Sequence, residues 1–98
     1  MKTTMAVMAM LLSSGVAAAE YRQEYKCYVI DETAVPHVFF VMLKPSLRLS
    51  QISKLPGKPI LDGLGKPKAY IDKVMECVPL EAQFNSADAR FLDDNTPR

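Results

Sequence analysis

Apolar and polar positions alternate most regularly between Glu24 and Asp31. There the order Glu-Tyr-Lys-Cys-Tyr-Val-Ile-Asp puts Tyr25, Cys27 and Val29 on one face of an extended segment, and Lys26 and Tyr28 on the other. Asp31 to Ala34 is turn material. The run His37–Leu43 then carries Val38, Phe39, Phe40, Val41 and Met42 between Pro36 and Lys44-Pro45, a length and composition that favour a strand over a helix. The two runs predict an antiparallel hairpin. Because the second is apolar on both faces, one side is expected against the core and the other against a helix or a partner.

Residues 46–55 are ambiguous. Leu47, Leu49, Ile52 and Leu55 recur at spacings of two, three and three, and Ser46 is placed to cap a helix ending at Pro56-Gly57; a strand or irregular segment fits as well. A short strand is predicted at Lys58–Leu61, followed by a tight loop through Asp62-Gly63-Leu64-Gly65-Lys66-Pro67. Lys68–Val78 admits two patterns. As a strand it groups Ile71, Met75 and Cys77, with Lys73 among them; as a helix it groups Ile71, Val74, Met75 and Val78. Pro79 and the proximity required of a disulfide partner favour the strand. Asn85–Leu92 predicts a short C-terminal helix capped by Ser86, with Ala87, Arg90 and Phe91 near one side and a frayed polar tail from Asp93. The fold class expected is α+β: a three- or four-stranded antiparallel sheet with a C-terminal helix.

The amino terminus changes the context. Met1-Lys2-Thr3-Thr4, the apolar stretch Met5–Leu12 and the small residues ending Ala17-Ala18-Ala19 have the layout of a secretory signal, so residues 1–19 are expected to be removed before Glu20. The apolar core of that segment is too short for an ordinary transmembrane helix, and no stable span is expected after cleavage. What remains, residues 20–98, is small enough for one domain and in need of a covalent staple. The chain has two cysteines, Cys27 and Cys77, 50 residues apart. Export, their even number and their strand-like surroundings predict a disulfide between them, in the periplasm or outside the cell.

Charge adds little. Of 12 Lys+Arg and 11 Asp+Glu, only Lys2 falls within residues 1–19, which leaves 11 of each sign and a net charge of zero. Nothing in bulk draws such a domain to nucleic acid, although a weakly basic strip runs from Lys54 to Lys73. His37, the only histidine, has no adjacent nucleophile pattern to serve. The acid pairs Asp31/Glu32 and Asp93/Asp94 read as solvated turn residues. Ligands for zinc or calcium are too few, and the glycines at 57, 63 and 65 do not form a phosphate loop. No cofactor, metal or catalytic residue is expected, and the chain reads as a non-enzyme. Its aromatic residues exceed what one face of a small core needs, so Tyr28, Phe40 and Tyr70 are the candidate partner-binding residues.

Tyr25-Lys26-Cys27-Tyr28-Val29 after the leader, Leu55-Pro56-Gly57-Lys58, Lys68-Ala69-Tyr70-Ile71, Val74-Met75-Glu76-Cys77-Val78-Pro79-Leu80, Phe84-Asn85-Ser86-Ala87 with Ala89-Arg90, and the Thr96-Pro97-Arg98 end together resemble the TapY2-like family of type IVa secretion or pilus-related proteins. The resemblance implies an exported accessory that binds an envelope or secreted protein of the same system, with the two cysteines in a structural role. From the residues alone, a small secreted inhibitor or ligand-binding domain fits equally. A protruding rigid loop at Asp62–Pro67 would favour the inhibitor, and an apolar pocket under Phe39 or Phe40 the ligand binder. A minor hydrolase would need His37 within hydrogen-bond reach of a hydroxyl or free thiol beside a pocket.

Overall fold

A computed structural model describes residues 21–97. The leader expected at residues 1–19 lies outside them. Four antiparallel strands form one sheet in the order β2-β1-β4-β3: β1 Gln23–Asp31, β2 Pro36–Leu43, β3 Pro59–Leu61 and β4 Pro67–Pro79. A single turn of 3-10 helix at Pro45–Leu47 leads into the short helix α1, Arg48–Ile52, and helix α2 spans Ala87–Asp94. The α+β expectation is met, with the larger of the two strand numbers.

The β1–β2 hairpin has the register its pattern called for, Cys27 opposite Phe39 and Tyr25 opposite Val41. Its turn is organised by one carboxylate. Asp31 Oδ1 accepts the Thr33 amide at 2.7 Å, the Thr33 hydroxyl at 2.7 Å and the Val35 amide at 3.0 Å. Those bonds hold Ala34 at φ 69°, a left-handed conformation that costs a residue with a Cβ roughly 1–2 kcal/mol.

Strand β4 resolves the ambiguity between strand and helix in an unexpected way. Its register against β1 slips twice, so that Met75 and Asp72 have no opposite number: Tyr28 pairs with Glu76 but Val29 with Val74, and Ile30 pairs with Lys73 but Asp31 with Ile71. Each slip is a β-bulge, which reverses the facing of every residue beyond it. Ile71, Val74 and Cys77 therefore face the same way at a spacing of three, and Met75 is turned out to solvent, 56% exposed. The sequence pattern looked half helical for this reason; the strand face that groups Met75 with Cys77 is corrected by the first bulge.

Two layers cover the sheet. On one face Cys27, Val29, Leu55, Ile60 and Ile71 form the apolar core, with Phe39, Val41, Ala69, Val74 and Cys77 packed around it. The Cys27–Cys77 disulfide lies within this layer, joining directly opposed residues whose Cα atoms are 4.0 Å apart. Leu55, between α1 and β3, is 2% exposed. Ser46 does not cap α1; it lies inside the 3-10 turn, and the α-helix starts only after Leu47. The Pro45 ring favours that tighter start.

On the other face lie Phe84 and α2. Ser86 caps this helix, its hydroxyl accepting the Ala89 amide at 3.2 Å. The side of α2 turned to the sheet carries Ala89 and Asp93, four apart, while Ala87, Arg90 and Phe91 are exposed. The end of α2 is not frayed. Asn95 Nδ2 donates to the Phe91 carbonyl at 2.8 Å, and the Thr96 hydroxyl to that of Leu92 at 2.7 Å.

Candidate interaction surfaces

The chain places its charged and aromatic groups in three locations. The first is the sheet face beneath α2. Lys26 Nζ meets Asp93 Oδ2 at 2.6 Å, with both side chains under 10% exposed, and stands 5.4 Å from the centre of the Phe84 ring. Tyr28, one of the three candidate partner residues, leans on the same Phe84 ring at 6.3 Å and is half-buried. This cluster joins residues 67 apart in the chain, and its form is that of an internal fastening. Neither charge suggested a partner in the sequence; the one available signal was the spacing of Ala89 and Asp93 on a short helix.

The second location surrounds His37. Its Nε2 lies 2.8 Å from Asp31 Oδ2. Asp31 was expected in a solvated pair, yet its side chain is 4% exposed. The bonds from His37 first, then from Thr33 and Val35, hold the Asp31 carboxyl well below the usual carboxylate range, outweighing the opposing effect of burial. The carboxylate thus orients His37 and ties the hairpin turn. The ring contact of His37 is with a carboxylate, not with the hydroxyl or thiol that a nucleophilic pair requires. Among the described residues, no three His, Cys, Asp or Glu side chains converge as metal ligands.

The third location is the hairpin of β3 and β4. Asp31 of β1 pairs with Ile71 and the Glu32 amide donates to the Tyr70 carbonyl at 3.1 Å, so residues 67–69 of β4 run on past the end of β1, beside β3. At about 3.3 Å per residue this carries the end of β4 roughly 10 Å beyond that point. The tip is held rigidly. Asp62 Oδ1 accepts the Leu64 amide at 2.8 Å and the Lys66 amide at 3.0 Å, and the Asp62 amide donates to the Lys66 carbonyl at 2.8 Å. Gly65 takes φ +79°, open to glycine at no cost. These amide bonds, with a smaller contribution from Lys68, lower the Asp62 pKa. Leu64 is 82% exposed at the apex, Leu61 52% beside it, and Tyr70, the second candidate partner residue, is exposed nearer the base. The Tyr70 amide donates to Glu32 Oε1 at 3.0 Å.

Phe40, the third candidate, is half-buried on the α2 side of β2. It lines a cleft of about 460 Å³ together with Glu24, Leu80 and Pro97. Tyr28, Phe40 and Tyr70 therefore do not form one patch: one rests on Phe84, one lines a cleft, and only Tyr70 is well exposed.

A four-stranded sheet bound by a single cross-strand disulfide, with a short helix pinned to its far face and a protruding hairpin, defines a small stapled α+β protein whose prominent features are surfaces. A family model for the type IVa secretion system protein TapY2-like matches residues 5–98, and the chain belongs to that family. No curated protein and no solved structure matches it. The resemblance read from the motifs is thereby established, and with it an association with type IVa secretion. Family and disulfide together fit an exported protein. Among the described residues, no helix is long and apolar enough to cross a membrane.

Proposed function

We propose that the protein is a non-enzymatic accessory of a type IVa secretion apparatus, acting in the periplasm or at the cell surface by binding another protein of that system. Membership of the secretion family over residues 5–98 carries this reading. Two structural features support it. Two pairs of ionisable groups hold the fold, Lys26 with Asp93 and His37 with Asp31. Apolar side chains, by contrast, stand exposed along β4 at Tyr70 and Met75. Tyrosine contributes rigid amphipathic contact area at interfaces.

The test is site-specific photo-crosslinking in cells at Tyr70 and Met75, with Phe91 on the outer side of α2 as a third position. The expected result is a discrete adduct with an envelope protein of the secretion system at Tyr70 or Met75. Adducts at none of the three positions would sink the proposal.

A second reading, a small ligand-binding domain, is favoured by the cleft at Phe40, whose size is within the range of small-molecule sites. An apolar fluorescent probe should then bind the folded protein and lose affinity in Phe40→Ala. The inhibitor version gains a rigid protruding loop. However, Asp62 closes that loop into a tight turn, whereas a protease cleft takes an extended backbone.

A further inference from the structure

Strand β4 is covered along only part of its outer edge. β3 pairs with residues 67–70, and just beyond it the Gly57 amide donates to the Ile71 carbonyl at 2.7 Å and the Ile71 amide to that of Lys58 at 2.9 Å. Past Ile71, β4 has β1 on one side and, among the described residues, no strand on the other. The direction of the main-chain groups there follows from β1. The Asp31 amide donates to the Val35 carbonyl at 2.9 Å, so Asp31 is turned toward the β2 side, and alternation turns Val29 and Cys27 the same way. Their opposite numbers Ile71, Val74 and Cys77 then direct N–H and C=O away from β1. Two observations agree. The bonds to Gly57 and Lys58 show Ile71 facing outward, and the short Cα separation of 4.0 Å between Cys27 and Cys77 belongs to a pair that exchanges no main-chain bonds. At Val74 and Cys77 no main-chain group among the described residues fills the outward positions. The other edges differ. β3 is three residues long and begins with proline, while Phe40, in the middle of β2, already has a partner and lines a cleft with Pro97.

We propose that this open stretch of β4, residues 73–78, pairs antiparallel with the same stretch of a second copy about a twofold axis, so that the sheet continues from one molecule into the next. Val74 then lies opposite Cys77 of the second copy, and Cys77 opposite its Val74. Each pair exchanges both N–H···O bonds, and one register satisfies every outward group. Paired residues must face the same side of a sheet. The bulge at Met75 meets that condition, because it puts Val74 and Cys77 on one face although an odd number of positions separates them. The side chains fit the same register. Met75, 56% exposed, comes to the axis beside its own copy. Lys73 and Glu76 stand on the other face, opposite Ile30 and Tyr28, and each Lys73 falls diagonal to Glu76 of the second copy, within reach of a long side chain. Bulges and a lysine ordinarily discourage edge pairing; here the bulge sets the register and the lysine meets a carboxylate. Residues 20–98 carry no net charge, so two copies do not repel in bulk. The contact is small and the dimer weak. Tyr70 lies outside it, open to the partner proposed above, and the pairing does not depend on that partner.

The exported protein is taken from micromolar to millimolar concentration, and its mass by sedimentation equilibrium is read beside amide hydrogen exchange at single residues. The expected result is a monomer–dimer equilibrium in which the Val74 and Cys77 amides gain protection as the dimer forms, while those of Val38 and Met42 on β2 do not. Met75→Lys changes an exposed position and leaves the fold intact. It sets two ammonium groups against the axis and should raise the dissociation constant at least about tenfold. Lys73→Glu should act in the same direction but less, by placing carboxylate beside carboxylate. A monomer at every concentration, a dimer whose new protection falls on β2 instead of Val74 and Cys77, or a dimer unmoved by Met75→Lys would each overturn the proposal. So would protection at Val74 and Cys77 that appears only when envelope proteins are added, which would assign the edge to a strand of another protein. None of these outcomes bears on crosslinking at Tyr70, so the two proposals fail separately.

Discussion

The two faces of the sheet are held by different physics. On the disulfide face, Cys27 and Val29 are completely buried among apolar neighbours, and the attraction is non-directional. On the helix face, the cover is an eight-residue helix, too short to be stable alone, and its attachment runs through a buried ion pair and one aromatic ring. Apolar burial gives cohesion but tolerates small shifts. A buried ammonium tolerates them less, because displacing α2 stretches the Lys26–Asp93 bond in a site where both groups have lost most of their water. The chain thus has one face that supplies cohesion and another that fixes where the last element sits.

The comparison can be broken most severely at the ion pair. Asp93→Ala should cost about 3–5 kcal/mol in urea unfolding, because it strands the Lys26 charge in a buried site. Lys26→Met combined with Asp93→Leu should recover most of that loss, since it removes both charges and keeps apolar volume. A double variant as unstable as the single one would show that the pair itself, and not the orphaned charge, holds the helix.

The next test is covalent. Replacing Cys27 and Cys77 together by Ala should cost about 2–4 kcal/mol, mostly by freeing the unfolded chain across a separation of 50 residues. The folded variant should keep its amide-exchange protection in α2, because the disulfide belongs to the opposite face. Loss of protection in α2 along with the core would mean that the two faces are not independent.

Smaller effects sharpen the picture. Ser86→Ala removes the cap that starts α2 and should lower stability by about 1 kcal/mol, with fraying visible in amide exchange at the first turn. Acid should act in part through the hairpin turn on the disulfide face. The Asp31 carboxyl is held below its ordinary value when folded. Its stabilisation is therefore complete above the unfolded carboxylate value, about 4, and is lost as pH falls from there toward the folded value. Asp31→Asn should flatten the pH dependence of the urea midpoint below about pH 4 while leaving α2 protection unchanged. A slope equal to that of the unaltered protein would assign the acid sensitivity elsewhere.

The leader and the domain boundary read at residues 19 and 20 lie beyond the described residues, but much of the rest was legible one element at a time. The first hairpin is written in the alternation of Tyr25, Cys27 and Val29 and in Pro36 at the head of the next run. Ser86 announces its helix because capping is a local hydrogen bond. Lys68–Val78 was harder. Two bulges give a strand the three-residue spacing of a helix, and a bulge is visible only against its partner strand. The candidate surface residues differ in exposure for a related reason. Whether a tyrosine on a strand is covered depends on what crosses above it: Phe84 covers Tyr28, whereas Tyr70 stays 46% exposed.

By itself the sequence determined the strands, the turn residues, the helix cap and the pairing of its two cysteines, each of which follows from short-range chemistry or from having a single possible partner. Only the tertiary structure decided that Lys26 meets Asp93, that Asp31 steers His37, that Met75 faces outward and Val74 inward, and that the β3–β4 hairpin overshoots the sheet. Those outcomes depend on register and on which layer lies over which strand. Such contacts join distant parts of the chain, and no local pattern of apolar and polar residues encodes them.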